Sequence, residues 1–135
     1  MVMRLLLAVL VALAGTAPAR APAEQPEQVL RQYFALLARH NYPAAYRLQE
    51  FDVSLRRFVA RFRPYLTYEG RIVGAGQGDT AMGSAYQEIP VEVHGRLRNG
   101  RPFSERGTVT LRANNHARVR RWAIYSADIP PRFGD

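Results

Sequence analysis

Three histidines and eleven acids are the side chains through which this cysteine-free chain of 135 residues could perform general acid–base chemistry. Their spacing is unhelpful to it. His94 and Glu92 share a parity with Arg96 and oppose that of Val91 and Val93, which places them on the outer, solvated face of a strand. His40 falls at a helix end and His116 in a turn beside Asn114-Asn115, positions that suit capping and loop roles. Asp52 is the best general-base candidate because it follows an aromatic stretch at a helix boundary, though a helix cap explains it equally well. No His-x-x-x-His pair, cysteine or Gly-x-Ser-x-Gly elbow is present, so the common metal and nucleophile signatures are missing and no cofactor is implied. The run Gly74-Ala75-Gly76-Gln77-Gly78-Asp79 would need a helix directly after it to cradle phosphate; the following residues do not read as one, so it is a turn.

Charge is the second chemical resource. The formal net charge is +8, and every basic residue other than histidine is arginine. A genome biased toward arginine codons explains the absence of lysine most simply, yet guanidinium stays charged at any relevant pH and forks onto phosphate or carboxylate. Arg56, Arg57, Arg61 and Arg63 accompany the apolar positions Leu55, Phe58, Val59 and Phe62, a basic amphipathic pattern suited to an anionic membrane surface or an acidic partner. No aromatic platform interleaves with the arginines, so nucleic acid is not the expected partner.

The elements that must position these groups follow a leader. Arg4, the apolar run Leu5 to Ala14 and the small-residue exit Ala17-Pro18-Ala19 have the three zones of a secretory signal, and the run is too short for a stable span. Residues 1–19 are therefore read as a signal peptide, 20–25 as a linker, 26–129 as one domain and 130–135 as a mobile tail, in a periplasmic or secreted protein. Loss of the leader leaves 116 residues, enough for one core without staples.

Pro26 suits a first helical turn, and Val29, Leu30, Tyr33, Phe34 and Leu37 form one buried stripe to about His40. Asn41-Tyr42-Pro43 is expected to end that helix. A second runs from Ala44 to about Phe51 with Tyr46 inward, and a third is capped by Ser54, stopped by Pro64 and turned inward along Leu55, Phe58, Val59 and Phe62. From Leu66 the period becomes two. Ile89, Val91, Val93 and Leu97 must share a buried face with Phe103, Val109 and Leu111, and that parity demands an odd loop. The prediction is a three-residue turn Arg98-Asn99-Gly100 with Gly100 left-handed, Glu92 opposite Arg106, and Gly95 beside Phe103. Pro90 implies an edge or a bulge. In the last strand Trp122 and Ile124 are expected inward.

Helices first and strands second make an α+β domain. The helix carrying Tyr33-Phe34 and Leu37, the Asn41-Tyr42-Pro43-Ala44-Ala45-Tyr46 run and the closing Arg121-Trp122-Ala123-Ile124 resemble the nuclear transport factor 2-like superfamily over Pro26 to Ile129. The resemblance implies a cone-shaped fold, about three helices packed on a strongly curved antiparallel sheet, with a pocket and without a fixed reaction. It also implies dimerisation through the outer sheet face as a recurring habit. If the cone is open, its lining is Tyr33, Tyr46, Phe62 and Trp122. The expected role is non-catalytic binding of a small apolar or anionic ligand, or of an envelope protein. A small isomerase, cyclase or dehydratase with an acid in the cone is one alternative, and an arginine-rich protein touching anionic membrane is the other.

Overall fold

The computed structural model describes residues 24–115 and 120–134. The expected signal peptide, most of the linker and His116 lie outside them. The chain folds as α1 (Pro26–Ala38), α2 (Tyr42–Tyr46), α3 (Leu55–Phe62), β1 (Tyr65–Ile72), β2 (Gln77–Ala81), β3 (Ser84–Leu97), β4 (Pro102–Asn114) and β5 (Trp122–Ala127). The strands form one antiparallel sheet in the order β1-β3-β4-β5, with β2 also paired to β3. Three helices cover its concave face.

α1 begins with Pro26 in its first turn and Glu27 near the positive end of its dipole. Val29, Leu30, Tyr33, Phe34 and Leu37 are buried, joined by Leu36. The expected boundary after α1 moves. Asn41 does not merely stop one helix, because its side-chain oxygen accepts from the Ala44 N–H and opens the next, with Pro43 in that helix's first turn. α2 therefore starts earlier and ends earlier than predicted. Ser54 caps α3 by accepting from the Arg57 N–H. Phe58 and Phe62 point into the core as expected, whereas Leu55 is exposed and Val59 only half-buried. An eight-residue helix at the rim can bury only a narrow stripe.

The β3–β4 hairpin has the predicted register. Arg96 pairs with Pro102, Gly95 with Phe103 and Glu92 with Arg106. The Leu97 N–H donates to the Arg101 carbonyl across a three-residue turn, in which Gly100 adopts φ +86°. Ile89, Val91, Val93, Val109 and Leu111 are consequently buried together. Pro90 sits where β3 changes partner: β2 pairs with residues 84–88 and β1 with 91–97, so its missing N–H falls in the gap between two ladders. β2 was not expected, because all five of its residues are exposed and give no alternation. In β5, Ile124 is fully buried and Trp122 half-buried on the same face.

The segment expected to be a mobile tail instead turns back onto the domain. Phe133 and Ala127 exchange backbone hydrogen bonds, and the Phe133 ring stacks on Phe51 with centroids 4.6 Å apart. Phe58 and Phe62 meet the same ring at 5.4 and 5.8 Å. The Pro130 carbonyl accepts from the Tyr68 hydroxyl at 2.7 Å, and Arg132 is paired with Asp128 and Glu105. A two-proline run followed by Arg-Phe-Gly reads as a loose end only when the slot awaiting the phenylalanine is unseen.

Two outcomes follow from this packing. Phe133→Ala should cost about 3–5 kcal/mol in urea unfolding, the price of emptying an aromatic slot, whereas an unanchored tail would show almost no change. Burial raises the pKa of both Tyr33 and Tyr68 above the ordinary tyrosine value. The unfolded chain ionises these hydroxyls near pH 10 while the folded protein keeps them neutral, so the stability present below about pH 10 should decline above it. The slope should approach about 1.4 kcal/mol per pH unit for each ring, and Tyr33→Phe should remove about half of it; a urea midpoint that is flat from pH 9 to pH 11 would contradict this.

Candidate functional site

The concave interior holds rings in mutual contact. Phe62 is surrounded by Tyr42, Phe58, Tyr65, Tyr68 and Phe133 at centroid distances of 5.1 to 6.4 Å. Of the four residues expected to line an open cone, Tyr33 and Phe62 are core side chains. Tyr46 packs its edge on Phe58 and donates its hydroxyl to the Val53 carbonyl at 2.7 Å. Trp122 is half-buried on the rim, where it borders a shallow depression with Asp79, Tyr86 and Arg120. Trp122 thus stands at the surface while Tyr33 and Phe62 lie in the core. Among the described residues no charged side chain is buried.

The candidate acids and histidines are equally dispersed. Asp52 stands exposed between α2 and α3, and the side chain that caps α3 is that of Ser54, as expected. His40 takes a left-handed backbone at the end of α1 and meets the Tyr42 hydroxyl at 3.2 Å. His94 is 3.1 Å from Glu69 on the convex face. Glu92 lies between Arg71 and Arg106, each 3.1 Å away, and their guanidiniums, Arg106 first, lower its pKa below the usual carboxylate value. Among the described residues no three His, Asp or Glu side chains stand close enough to hold a metal.

Sequence reasoning passed over Glu105. The parity that turns Phe103, Val109 and Leu111 inward also turns Glu105 inward, opposite Val93. It sits near Tyr65 and Tyr68, adding to the upward shift of both hydroxyl pKa values after burial itself. Its carboxylate is held by the Arg132 guanidinium, which comes from the returning tail. This inward acid is thus satisfied by the chain itself.

The arginines give the more concentrated feature. Residues 53–68 and 93–104 contain no acid and carry seven arginines. The fold joins these two segments: the Arg98 N–H donates to the Pro64 carbonyl, the Arg98 side chain to the Arg63 carbonyl, and the Arg96 N–H to the Thr67 hydroxyl. Arg56 and Arg63 lie two turns apart on the same exposed flank of α3, with Ala60 between them. Arg61 differs from its three neighbours, for it turns over the Phe133 ring and donates to the Arg132 carbonyl. None of the seven forms an ion pair among the described residues. Exposed Leu55 and Leu66 flank the patch.

No family model matches the sequence, and a comparison with curated proteins finds no match. Among solved structures, a nuclear transport factor 2-like superfamily protein from Salmonella enterica subsp. enterica serovar Typhimurium str. LT2 is similar in shape, with a TM-score of 0.57 at 9% identity. The match covers 73% of this chain and 83% of that one. Likeness at so low an identity speaks for shape alone, and with three helices on a curled antiparallel sheet the chain has the cone-shaped nuclear transport factor 2-like α+β fold.

Proposed function

We propose that the protein is an exported, non-catalytic binding protein that docks on an anionic envelope surface through its arginine-rich end. The observation that carries the reading is the junction of α3 with the β3–β4 turn, where two acid-free segments far apart in sequence bring seven arginines to one end. None of the seven is tied to a carboxylate within the described residues, and Arg61, Arg96 and Arg98 turn to backbone carbonyls, whereas Arg56, Arg57, Arg63 and Arg101 extend exposed side chains. Each such cation near an anionic lipid surface contributes on the order of 1 kcal/mol, and Leu55 and Leu66 supply shallow apolar contact. The leader motif of residues 1–19 supports export toward such surfaces. The packed aromatic interior supports binding on the outside over a small ligand within, and among the described residues the inward Glu105 is already engaged by Arg132, which favours this reading over the isomerase or dehydratase alternative.

The test is flotation of the mature protein with vesicles of phosphatidylglycerol and phosphatidylcholine. Binding is expected at low salt, with a loss of about tenfold or more as the Debye length shrinks from about 10 Å toward 3 Å. Arg56→Gln, Arg57→Gln, Arg63→Gln and Arg101→Gln together should lower it by at least about a hundredfold, with thermal stability unchanged because these side chains are exposed. Equal binding to neutral vesicles, or indifference to salt and to the fourfold variant, removes the proposal.

A further inference from the structure

A second surface, remote in character from the arginine-rich end, has the form of a peptide-binding edge. Among the described residues β1 pairs only with β3, so one side of this eight-residue strand carries no ladder there. Among the described residues no backbone hydrogen bond from outside the sheet reaches residues 69–72. A depression of about 480 Å³ lies against those four consecutive residues, Glu69, Gly70, Arg71 and Ile72, and against the flank of α1 formed by Arg31, Phe34, Ala35 and Ala38. Successive side chains of a strand point to opposite faces, so a hollow bordered by four in a row runs along the strand's edge and not over one face. Gly70 shapes its floor. A Cβ there would lie 2.3 Å from the Phe34 ring, so the helix approaches bare backbone.

The geometry points to an extended acidic peptide that joins the sheet along β1. Its backbone would complete the free ladder, the way strand addition gives affinity, while alternate side chains provide specificity. Those directed inward meet Ala35, Ala38 and Ile72, an apolar wall made narrow by two alanines. Those directed outward meet Arg71. The single Glu92 carboxylate is shared by Arg71 and Arg106, leaving one guanidinium charge in excess, and Glu69 is engaged by His94. Arg31, on the helix wall, has no ion pair among the described residues. The edge therefore selects apolar residues alternating with carboxylates, over a groove that four residues of strand make about 13 Å long.

The experiment uses the mature protein with two blocked hexapeptides, Glu-Val-Glu-Val-Glu-Val and its twin Lys-Val-Lys-Val-Lys-Val, followed by amide hydrogen exchange and titration. The acidic peptide should slow exchange in β1 and bind at least about tenfold more tightly than the basic one. Arg71→Gln, which removes the excess charge facing the outward side chains, should remove that preference, and Ala38→Tyr, an exposed helix substitution that fills the groove, should abolish binding with the circular dichroism spectrum unchanged. The fourfold arginine variant of α3 and the β3–β4 turn should bind as before, which separates this edge from the membrane-docking surface. Protection confined to that other end, equal affinity for the twins, or β1 protection that rises with protein concentration in the absence of peptide, as two copies meeting edge to edge would give, each overturns the assignment.

Discussion

The long pairing of β3 with β4 is the constraint on which the other features rest. One left-handed residue, Gly100, closes a loop of odd length, and the register that results decides for both strands which side chains enter the core. A slip by one residue would exchange Ile89, Val91, Val93, Val109 and Leu111 for Glu88, Glu92, Arg106 and Arg112, replacing an apolar floor by charges. The same register arranges the surface: Glu92 is set across from Arg106 and beside Arg71, so that one carboxylate steadies three strands from outside. Because β3 carries β1 and β2 on one side and β4 on the other, any error in it would propagate to every strand.

That register was legible in the sequence because it depends on parity, which a list of apolar positions fixes without knowledge of distance. The stripe of α1 and the Ser54 cap were legible for the same reason: each is a local rule with a local signature. What could not be read was long-range. β2 shows no alternation, since an all-exposed strand has no buried face to mark it, and it exists because the edge of β3 is there to receive it. The destination of Phe133 depends on Phe51, Phe58 and Phe62, which arrive from other segments to form its slot. The arginines of α3 were visible as a helix pattern; their union with Arg96, Arg98 and Arg101 required the turn to be folded against Pro64.

Glu105 shows how a reading can be correct in its rule and incomplete in its use. Inward parity was applied to the apolar residues of β4 and not to the acid among them, although parity makes no distinction by chemistry. The structure supplies the balancing charge from the returning tail, where Arg132 reaches Glu105 and Asp128 at once. An acid half-exposed at a rim needs only such a partner to be tolerated, because solvent still screens it.

The returning tail also bears on access to the interior of this fold. A cone offers its interior to a ligand only where the chain leaves room, and here the Phe133 ring packs inward against Phe51, Phe58 and Phe62 in stacked and tilted contacts. Any ligand entering would have to displace the ring together with the Tyr68 hydrogen bond to Pro130, the Ala127 backbone exchange and the Arg132 ion pairs. These contacts all oppose opening the interior, whereas the arginine-rich end and the outer edge of β1 need no rearrangement to be reached. Preorganised groups bind at lower cost than groups that must first be uncovered. For this chain that principle favours the outside of the cone over its interior.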